Sequence, residues 1–408
     1  MTTPLLESPD DAPRAGASIS QARTHAVAQV RLPVRPEHAG IEPYGAPQLD
    51  VPVLLNVNEN PYAPSAEVVA TIAADVAEAA ATLNRYPDRD FLGLRRDLAD
   101  YLAGESGVRV APEQVWAANG SNEVMLHLLQ AFGGPGRTAL SFAPTYSMYP
   151  EYARDTSTAW VTGRRAEDFT LDPEAARAAI VAHAPSVILL ASPNNPTGTA
   201  LTREVVEAVC EAALAVTPHG AEPGTSAVVV VDEAYGEFRR AGVPSALELL
   251  ERYPNLAVSR TMSKAFALAG ARVGYLAAST TLVDALRVVR LPYHLSAATQ
   301  AVARAALKHS SSLLAQVDAL RAERDATVTW LRAQRPAALG GAPLQVADSD
   351  ANFVLFGTFP DRHAVWQGLL DRGVLIRETG PEGWLRVSIG TPQEMTAFKD
   401  ALVEVAGL

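Results

Sequence analysis

The sequence predicts an α/β fold in which helices cover both faces of a mainly parallel sheet. Between roughly residues 65 and 295, helical patterns alternate with short runs of apolar or β-branched residues. These runs are apolar throughout instead of alternating with polar residues, which is typical of strands buried on both faces. The chain has 408 residues, more than a single core usually accommodates, so a second compact unit is expected.

The predicted strands of the sheet are short and are separated by helical segments. Helical periodicity after the first strand predicts a helix over residues 124–132, and a longer one runs through residues 320–331. The segment at residues 217–226 is rich in Pro and Gly and is interpreted as a surface loop. The predicted strands are residues 115–118, 138–141, 186–190, 227–231 and 256–259, followed near the C-terminus by residues 352–356, 374–377 and 384–388.

Changes in composition divide the chain into four parts. Residues 1–31 are rich in Pro, Ser and Ala and are interpreted as a disordered tail. Residues 32–64 carry Pro and aromatic punctuation, which indicates an extended arm packing with the smaller domain or a partner subunit. Residues 65–295 form the predicted large domain that binds the ligand, and residues 296–408 form a smaller α+β domain.

Charge and hydropathy exclude several classes of function. The formal net charge is −11 and no Lys/Arg cluster is present, which argues against nucleic-acid binding. No apolar run approaches the roughly 20 residues of a membrane helix. The first residues lack the compact apolar segment of a secretory signal, so we expect a cytoplasmic protein. We expect no metal site.

Two motifs place polar groups directly after predicted strands. Residues 119–123 (Asn-Gly-Ser-Asn-Glu) lie between a strand and a helix, where free backbone amides and the positive helix end favour an anion. The alternative is an ordinary turn in which Ser121 or Asn122 caps the helix. Residues 192–198 (Ser-Pro-Asn-Asn-Pro-Thr-Gly) put Asn195 at the carboxyl edge of the sheet, where α/β proteins bind ligands. A simple Pro/Gly turn is the alternative there.

Two further motifs add charged groups at the same predicted edge. Asp232 follows a fully apolar strand, where a buried carboxylate needs a partner such as a protonated ring nitrogen. Its alternative role is a helix N-cap. Lys264 lies in residues 259–272, a segment short of opposite charge, and such surroundings lower an amine pKa towards nucleophilic use. The alternative is a solvated surface lysine.

In this order, the four motifs resemble those of the fold-type-I pyridoxal-phosphate (PLP) enzymes, which have the aspartate-aminotransferase-like fold. Further segments narrow the resemblance to the histidinol-phosphate aminotransferase family, and it extends from about residue 32 to the C-terminus. These segments are residues 55–62 (LNVNENPY), 85–88 (RYPD), 143–149 (APTYSMY) and 291–294 (LPYH).

The resemblance implies a role for each matched residue in holding PLP. Lys264 would bond the cofactor covalently and later carry a proton during the reaction. Asp232 would keep the pyridine nitrogen protonated, while Asn195 and Tyr235 would hydrogen-bond the ring hydroxyl and Tyr146 would stack on the ring. The residues implied around the phosphate are Gly120, Ser121, Asn122, Thr261, Ser263 and Arg272, together with Tyr86 from the neighbouring subunit of a homodimer.

The same resemblance implies substrate-binding residues and a reaction. Arg386 matches the family's carboxylate-binding arginine, and Arg377 matches its additional anion-binding arginine. With Tyr44 and Asn60 nearby, such a pair suits both glutamate and L-histidinol phosphate. The implied reaction is transamination between histidinol phosphate and 2-oxoglutarate in histidine biosynthesis. An alternative for Arg377 is a surface charge on a strand edge.

Three other functions use the same cofactor apparatus and stay open on sequence alone. An aromatic-amino-acid aminotransferase would need an apolar pocket where the second anion binds, which Arg377 argues against. A phosphothreonine-type decarboxylase would release carbon dioxide. A PLP-binding transcriptional regulator without turnover would need a DNA-binding module, and the stretch before the fold is too short for one.

Overall fold

The computed structural model describes residues 32–408, so the predicted tail at residues 1–31 lies outside the described residues. The chain divides into two compact units, of which the first ends at Tyr44 and the second is Gly45–Leu408. The second unit contains the sheets and nearly all of the helices. Its strands are β1 Val53–Leu54, β2 Val115–Ala118, β3 Thr138–Ala143, β4 Ala159–Arg164, β5 Val187–Ala191, β6 Val228–Asp232, β7 Leu256–Thr261, β8 Gly274–Ala278, β9 Gln345–Val346, β10 Phe353–Gly357, β11 Val374–Leu375 and β12 Leu385–Ser388.

The main sheet confirms the predicted α/β class. Its strand order is β2-β8-β7-β6-β5-β3-β4, and every neighbouring pair is parallel except the two that involve β8. Every residue of β2, β5, β6, β7 and β8 is buried, which is why β2 and β5 are apolar throughout and why β6 and β7 become polar only at their C-terminal ends. Since β8 alone runs the opposite way, the C-terminal ends of the other six strands share one edge.

Helices cover the sheet, and most of them begin at a capping side chain. Ser65, Asp172, Thr202, Ser279 and Ser296 each accept a hydrogen bond from a backbone amide of the first helical turn, which stabilises that end. The helices are α1 Ala66–Ala80, α2 Leu92–Ser106, α3 Ser121–Phe132, α4 Tyr149–Asp155, α5 Pro173–His183, α6 Arg203–Ala215, α7 Thr280–Val289, α8 Ala297–Leu307, α9 Ser310–Ala333, α10 Arg362–Leu370 and α11 Pro392–Ala406.

The C-terminal part contains a separate antiparallel sheet of order β12-β10-β9 that contacts α9, while α10 and α11 pack on each other beside β11. A third, two-stranded sheet pairs β1 with β11 in parallel. The proposed domain boundary near residue 295 falls between α7 and α8 and stays a prediction. Within residues 32–408, no helix is long and apolar enough to cross a membrane.

Candidate active site

The C-terminal ends of the parallel strands bring the four sequence motifs to one edge of the sheet. The loop after β2 carries Gly120, the loop after β5 carries Asn195, β6 ends at Asp232, and the loop after β7 carries Lys264. Ligands of open α/β sheets bind at this edge. The strand register therefore turns four separate sequence segments into one candidate site.

Lys264 lies in the interior with its amine directed at main-chain oxygen. Its Nζ donates to the Val57 carbonyl oxygen at 3.1 Å. Burial, together with the charge of Arg386, lowers the pKa of Lys264 to about 8, and Glu59 acts in the opposite direction. An amine with this pKa is partly neutral near physiological pH, as a nucleophilic lysine must be. The surroundings confirm the expected lowering of the lysine pKa.

Asp232 is buried at the end of β6, and its carboxylate accepts two hydrogen bonds. Its Oδ1 accepts from the Ala234 amide at 3.2 Å, and its Oδ2 accepts from the Tyr149 hydroxyl at 3.0 Å. Burial raises the pKa of Asp232 to about 6, although both hydrogen bonds act in the opposite direction. Two bonds leave acceptor capacity on the carboxylate, so it can take a further donor from a ligand.

The N-terminus of α3 offers uncapped backbone amides. Its N-cap is Gly120, at φ +85°, and no side chain caps the helix, so neither Ser121 nor Asn122 plays the capping role of the alternative interpretation. Among the described residues, the Ser121 and Asn122 amides have no hydrogen-bond acceptor. A twelve-residue helix with such an end attracts an anion.

Arg272 joins this helix end to the lysine segment. A Cβ on Gly120 would lie 2.5 Å from Arg272 Nη2, so the guanidinium packs directly on the Gly120 backbone. Gly274 lacks the Cβ that would clash with the Ser121 amide, which lets β8 approach α3. In the same loop, the Thr261 and Ser263 hydroxyls lie 3.0 Å apart. The α3 amides and the Arg272 guanidinium thus meet where an anion would bind, and the Thr261 and Ser263 hydroxyls lie at the C-terminal end of β7, on the same edge of the sheet.

Residues 56–58 form hydrogen bonds with three predicted site residues, Lys264, Arg386 and Tyr235. The Asn56 carbonyl accepts from Arg386 Nη2 at 2.9 Å. Val57 accepts from Lys264, and Asn58 Nδ2 donates to the Tyr235 hydroxyl at 3.0 Å. Ser388 on β12 fixes Asn58 by bonding both its amide and its side chain. This segment connects the main sheet to the C-terminal sheet.

The two predicted substrate arginines face each other across an antiparallel bridge. Arg377 and Arg386 exchange both backbone hydrogen bonds, at 3.0 and 2.9 Å. Residues paired in this way project their side chains to the same face. Arg386 is buried, donates to Asn195 Oδ1 at 2.6 Å and lies over the Phe353 ring. Arg377 is half-buried, which disfavours the alternative of a solvated edge charge.

The remaining predicted residues differ in how closely the structure ties them to the site. Tyr146 follows β3 and packs edge-on against Tyr149, with ring centroids 5.5 Å apart. Asn60 Nδ2 lies 3.5 Å from the Ala265 carbonyl, next to Lys264 in sequence. Tyr86 is 80% exposed and stacks on Tyr293. Tyr44 belongs to the first compact unit, and its role in the site stays a prediction.

Two residues of the site were missed by the sequence reasoning. Tyr149 and Asn58 lie in segments 143–149 and 55–62, which carry the family resemblance, but neither was assigned a role. The cluster of asparagines in residues 56–60 was a usable signal, because a run of amide side chains beside an apolar strand needs polar partners. Tyr149 gave no such signal, since a buried tyrosine is common.

Comparisons with known proteins agree on one family, the aminotransferases. The model of "aminotransferase class I and II" matches residues 51–402. A histidinol-phosphate aminotransferase of Bifidobacterium adolescentis is 59% identical over 375 residues, covering 92% of this chain and 95% of the relative. That of Thermobifida fusca is also 59% identical, covering 92% and 96%.

Solved structures give the same fold. Aspartate aminotransferase from Thermus thermophilus with maleate superposes with a TM-score of 0.71 at 26% identity, covering 87% of this chain and 91% of that one. Histidinol-phosphate aminotransferase from Sinorhizobium meliloti, solved with pyridoxal-5'-phosphate, gives 0.72 at 24% identity, covering 88% and 91%. The chain therefore belongs to the aminotransferase class I and II family and, within it, to the histidinol-phosphate aminotransferases.

Proposed function

We propose that the chain catalyses PLP-dependent transamination between L-histidinol phosphate and 2-oxoglutarate, giving imidazole acetol phosphate and L-glutamate in histidine biosynthesis. The relatives that carry this activity in their names are 52–59% identical over nearly the whole chain. One structural observation carries the proposal. The 56–58 segment bonds both Lys264 and Arg386, so a half-buried amine and a buried guanidinium lie against neighbouring carbonyls of one short segment.

The donor set fits PLP at three separate points. The free amides of Ser121 and Asn122, with Arg272 packed on Gly120, suit a phosphate. Asp232 has spare acceptor capacity for a protonated ring nitrogen. Lys264 supplies a nucleophilic amine. We assign Tyr146 to the ring face, Asn195 and Tyr235 to the ring hydroxyl, and Thr261 and Ser263 to the phosphate site.

Lys264 has the proton-transfer role in this proposal. When bound, PLP supplies an electron sink that makes the C–H bond beside the substrate nitrogen acidic. Lys264 Nζ, once freed, removes that proton and holds it for delivery, and its lowered pKa allows it both to accept and to release a proton. The Val57 carbonyl, 3.1 Å away, fixes the direction of the amine.

Arg377 and Arg386 bind the anionic groups of the two substrates. Histidinol phosphate has no α-carboxylate, whereas glutamate has two carboxylates, so the pocket must accept both a phosphate and carboxylates. Two guanidiniums on one face of a strand pair can do this, because each binds either anion at two points. We assign Asn60 to the same proposed pocket, and the substrate-binding role of Tyr44 stays a prediction.

The first experiment follows the first half-reaction by visible absorbance. PLP-loaded protein is mixed with L-histidinol phosphate, glutamate or phenylalanine alone. We expect histidinol phosphate and glutamate to bleach the yellow cofactor rapidly and phenylalanine to do so slowly. Bleaching by phenylalanine but not by histidinol phosphate would move the protein to the aromatic aminotransferases, and release of carbon dioxide would indicate a decarboxylase.

Lys264→Ala is the test of mechanism in the same assay. We expect the variant to fold and to lose transamination by several orders of magnitude, because a nucleophile and general base are removed together. Lys308→Ala is the matched control, since Lys308 is an exposed lysine paired with Asp75 at 2.7 Å. Near-normal turnover by Lys264→Ala would refute the assigned role.

We also propose that the protein is a homodimer with shared active sites. An apolar patch formed by Leu83, Tyr86, Val288, Leu291 and Tyr293 is exposed, with Val288 at 84% and Leu291 at 74%. Its two segments adjoin, because Arg290 bonds Asp90 at 3.0 Å and Tyr86 stacks on Tyr293. A contiguous apolar patch on a protein surface favours association, and a second copy is the simplest partner.

A further inference from the structure

Tyr149 contacts Asp232 and has no role in the mechanism described so far. Its hydroxyl lies 3.0 Å from Asp232 Oδ2, and its ring is fully buried. Burial and the neighbouring carboxylate raise the pKa of Tyr149 well above its usual value, so the phenol stays protonated. An ionised carboxylate can only accept hydrogen bonds, and the tyrosine is therefore the donor.

Asp232 depends on this donor because it lacks a cationic partner. Among residues 32–408, no Lys, Arg or His side chain lies within ion-pair distance of Asp232. The adjacent carboxylate, Glu233, raises the Asp232 pKa, although Glu233 is itself paired with Arg260 and Arg239. The only described donors to Asp232 are the Ala234 amide and Tyr149. A hydrogen bond to the charged form of an acid favours ionisation.

The position of Tyr149 is fixed by its own surroundings. Its amide donates to the Tyr146 carbonyl at 3.2 Å at the start of α4. Its ring packs edge-on against Tyr146 at an interplanar angle of 88°. Arg165 is the nearby cation, and it bonds main-chain carbonyls at the ends of β3 and β5. A phenol held in this way restricts rotation of the Asp232 carboxylate as well as its ionisation.

We propose that Tyr149 is a positioning residue that holds Asp232 ionised and correctly oriented for the ring nitrogen of the cofactor. This inference rests on the proposed function, since it assigns Asp232 to that nitrogen. Removing the phenol oxygen raises the pKa of Asp232 above about 6. The loss of cofactor affinity relative to the parent is then largest at about pH 6 and below, where a smaller fraction of the Asp232 carboxylate is ionised in the variant than in the parent, and it disappears at higher pH, where both are ionised.

The test measures the PLP dissociation constant of the apoenzyme by intrinsic fluorescence from about pH 5.5 to about pH 8.5. Four proteins form a double-mutant cycle: the parent, Tyr149→Phe, Asp232→Asn and the double variant. We expect Tyr149→Phe to weaken binding by about tenfold near pH 6 and by much less at pH 8.5. In the Asp232→Asn background, the same change should have no pH-dependent effect.

Tyr253→Phe is the matched control, because that tyrosine is also buried and donates to a carboxylate, Glu211 Oε1, at 3.2 Å. Identical pH profiles for the parent and Tyr149→Phe would overturn the inference. A loss of affinity that is equal at all pH values and persists in the Asp232→Asn background would also overturn it. If Tyr149→Phe does not fold, Tyr149→Met replaces it in the cycle, and its PLP affinity is compared with that of the parent over the same pH range. A parent protein that fails to bind PLP would instead contradict the proposed function.

Discussion

Arg377 and Arg386 are paired in the backbone but differ in what their guanidiniums already bind. Arg386 donates to Asn195 and to the Asn56 carbonyl. Arg377 Nη2 reaches only the Gly45 carbonyl at 3.4 Å, and within the described residues its buried Nη1 has no acceptor. Arg377 thus retains donors for a ligand, whereas Arg386 also supports the structure of the site.

We expect Arg377→Ala to raise the KM for histidinol phosphate by roughly 10- to 100-fold while leaving PLP affinity unchanged, since it removes charge-assisted hydrogen bonds to the substrate alone. Steady-state kinetics and a PLP titration check this. Arg372→Ala is the control, because Arg372 is an exposed arginine bonded to Glu404. An unchanged KM for Arg377→Ala would remove Arg377 from the substrate site.

At the residue scale, the position of a residue in the fold could be predicted where that residue follows a recognisable element. Asp232 and Lys264 were predicted because apolar strands directly precede their segments. Tyr149 and Asn58 were missed because their roles depend on partners 83 and 177 residues away. Contacts of that range are set by strand order, which local patterns do not specify.

At the element scale, the start of α3 depends on a residue without a side chain. Gly120 has a φ of +85° and accommodates the Arg272 guanidinium against its Cα. We expect Gly120→Ala to destabilise the fold by about 1–3 kcal/mol, because a positive φ combined with an extended ψ is a conformation open essentially to glycine alone. It should also weaken PLP binding at least tenfold, since a Cβ displaces Arg272 from the phosphate site.

Thermal denaturation and PLP titration measure these two effects separately. Gly104→Ala in α2 is the control, because a Cβ there meets nothing within 4 Å and helix propensity predicts a stabilisation of about 0.5–1 kcal/mol. Wild-type PLP affinity in Gly120→Ala would show that the uncapped end of α3 does not bind the phosphate.

Two strands were not predicted and two other elements have different bounds from those predicted, and most of these differences have a physical reason. β4 lies at the edge of the sheet, so its residues are only partly buried and the apolar run is broken. β8 begins with Gly274 directly after the lysine loop, and glycine does not favour a strand. The predicted strand at residues 374–377 is shorter, because only Val374 and Leu375 pair with β1. α3 begins three residues before the predicted helix, at Ser121.

At the scale of the whole molecule, Tyr86 is the residue whose proposed role depends on a second subunit. It is 80% exposed, although the resemblance assigns it to the cofactor phosphate. Mixing Lys264→Ala and Tyr86→Ala subunits tests this directly at limiting PLP, where each variant alone should be nearly inactive. If Tyr86 acts across the interface, each mixed dimer contains one site with both native residues, and the mixture should recover about a quarter of the parent activity. If Tyr86 acts within its own subunit, no mixed site is complete and mixing restores nothing. Sedimentation shows in parallel whether the subunits associate, so a monomer would be distinguished from a dimer in which Tyr86 does not cross.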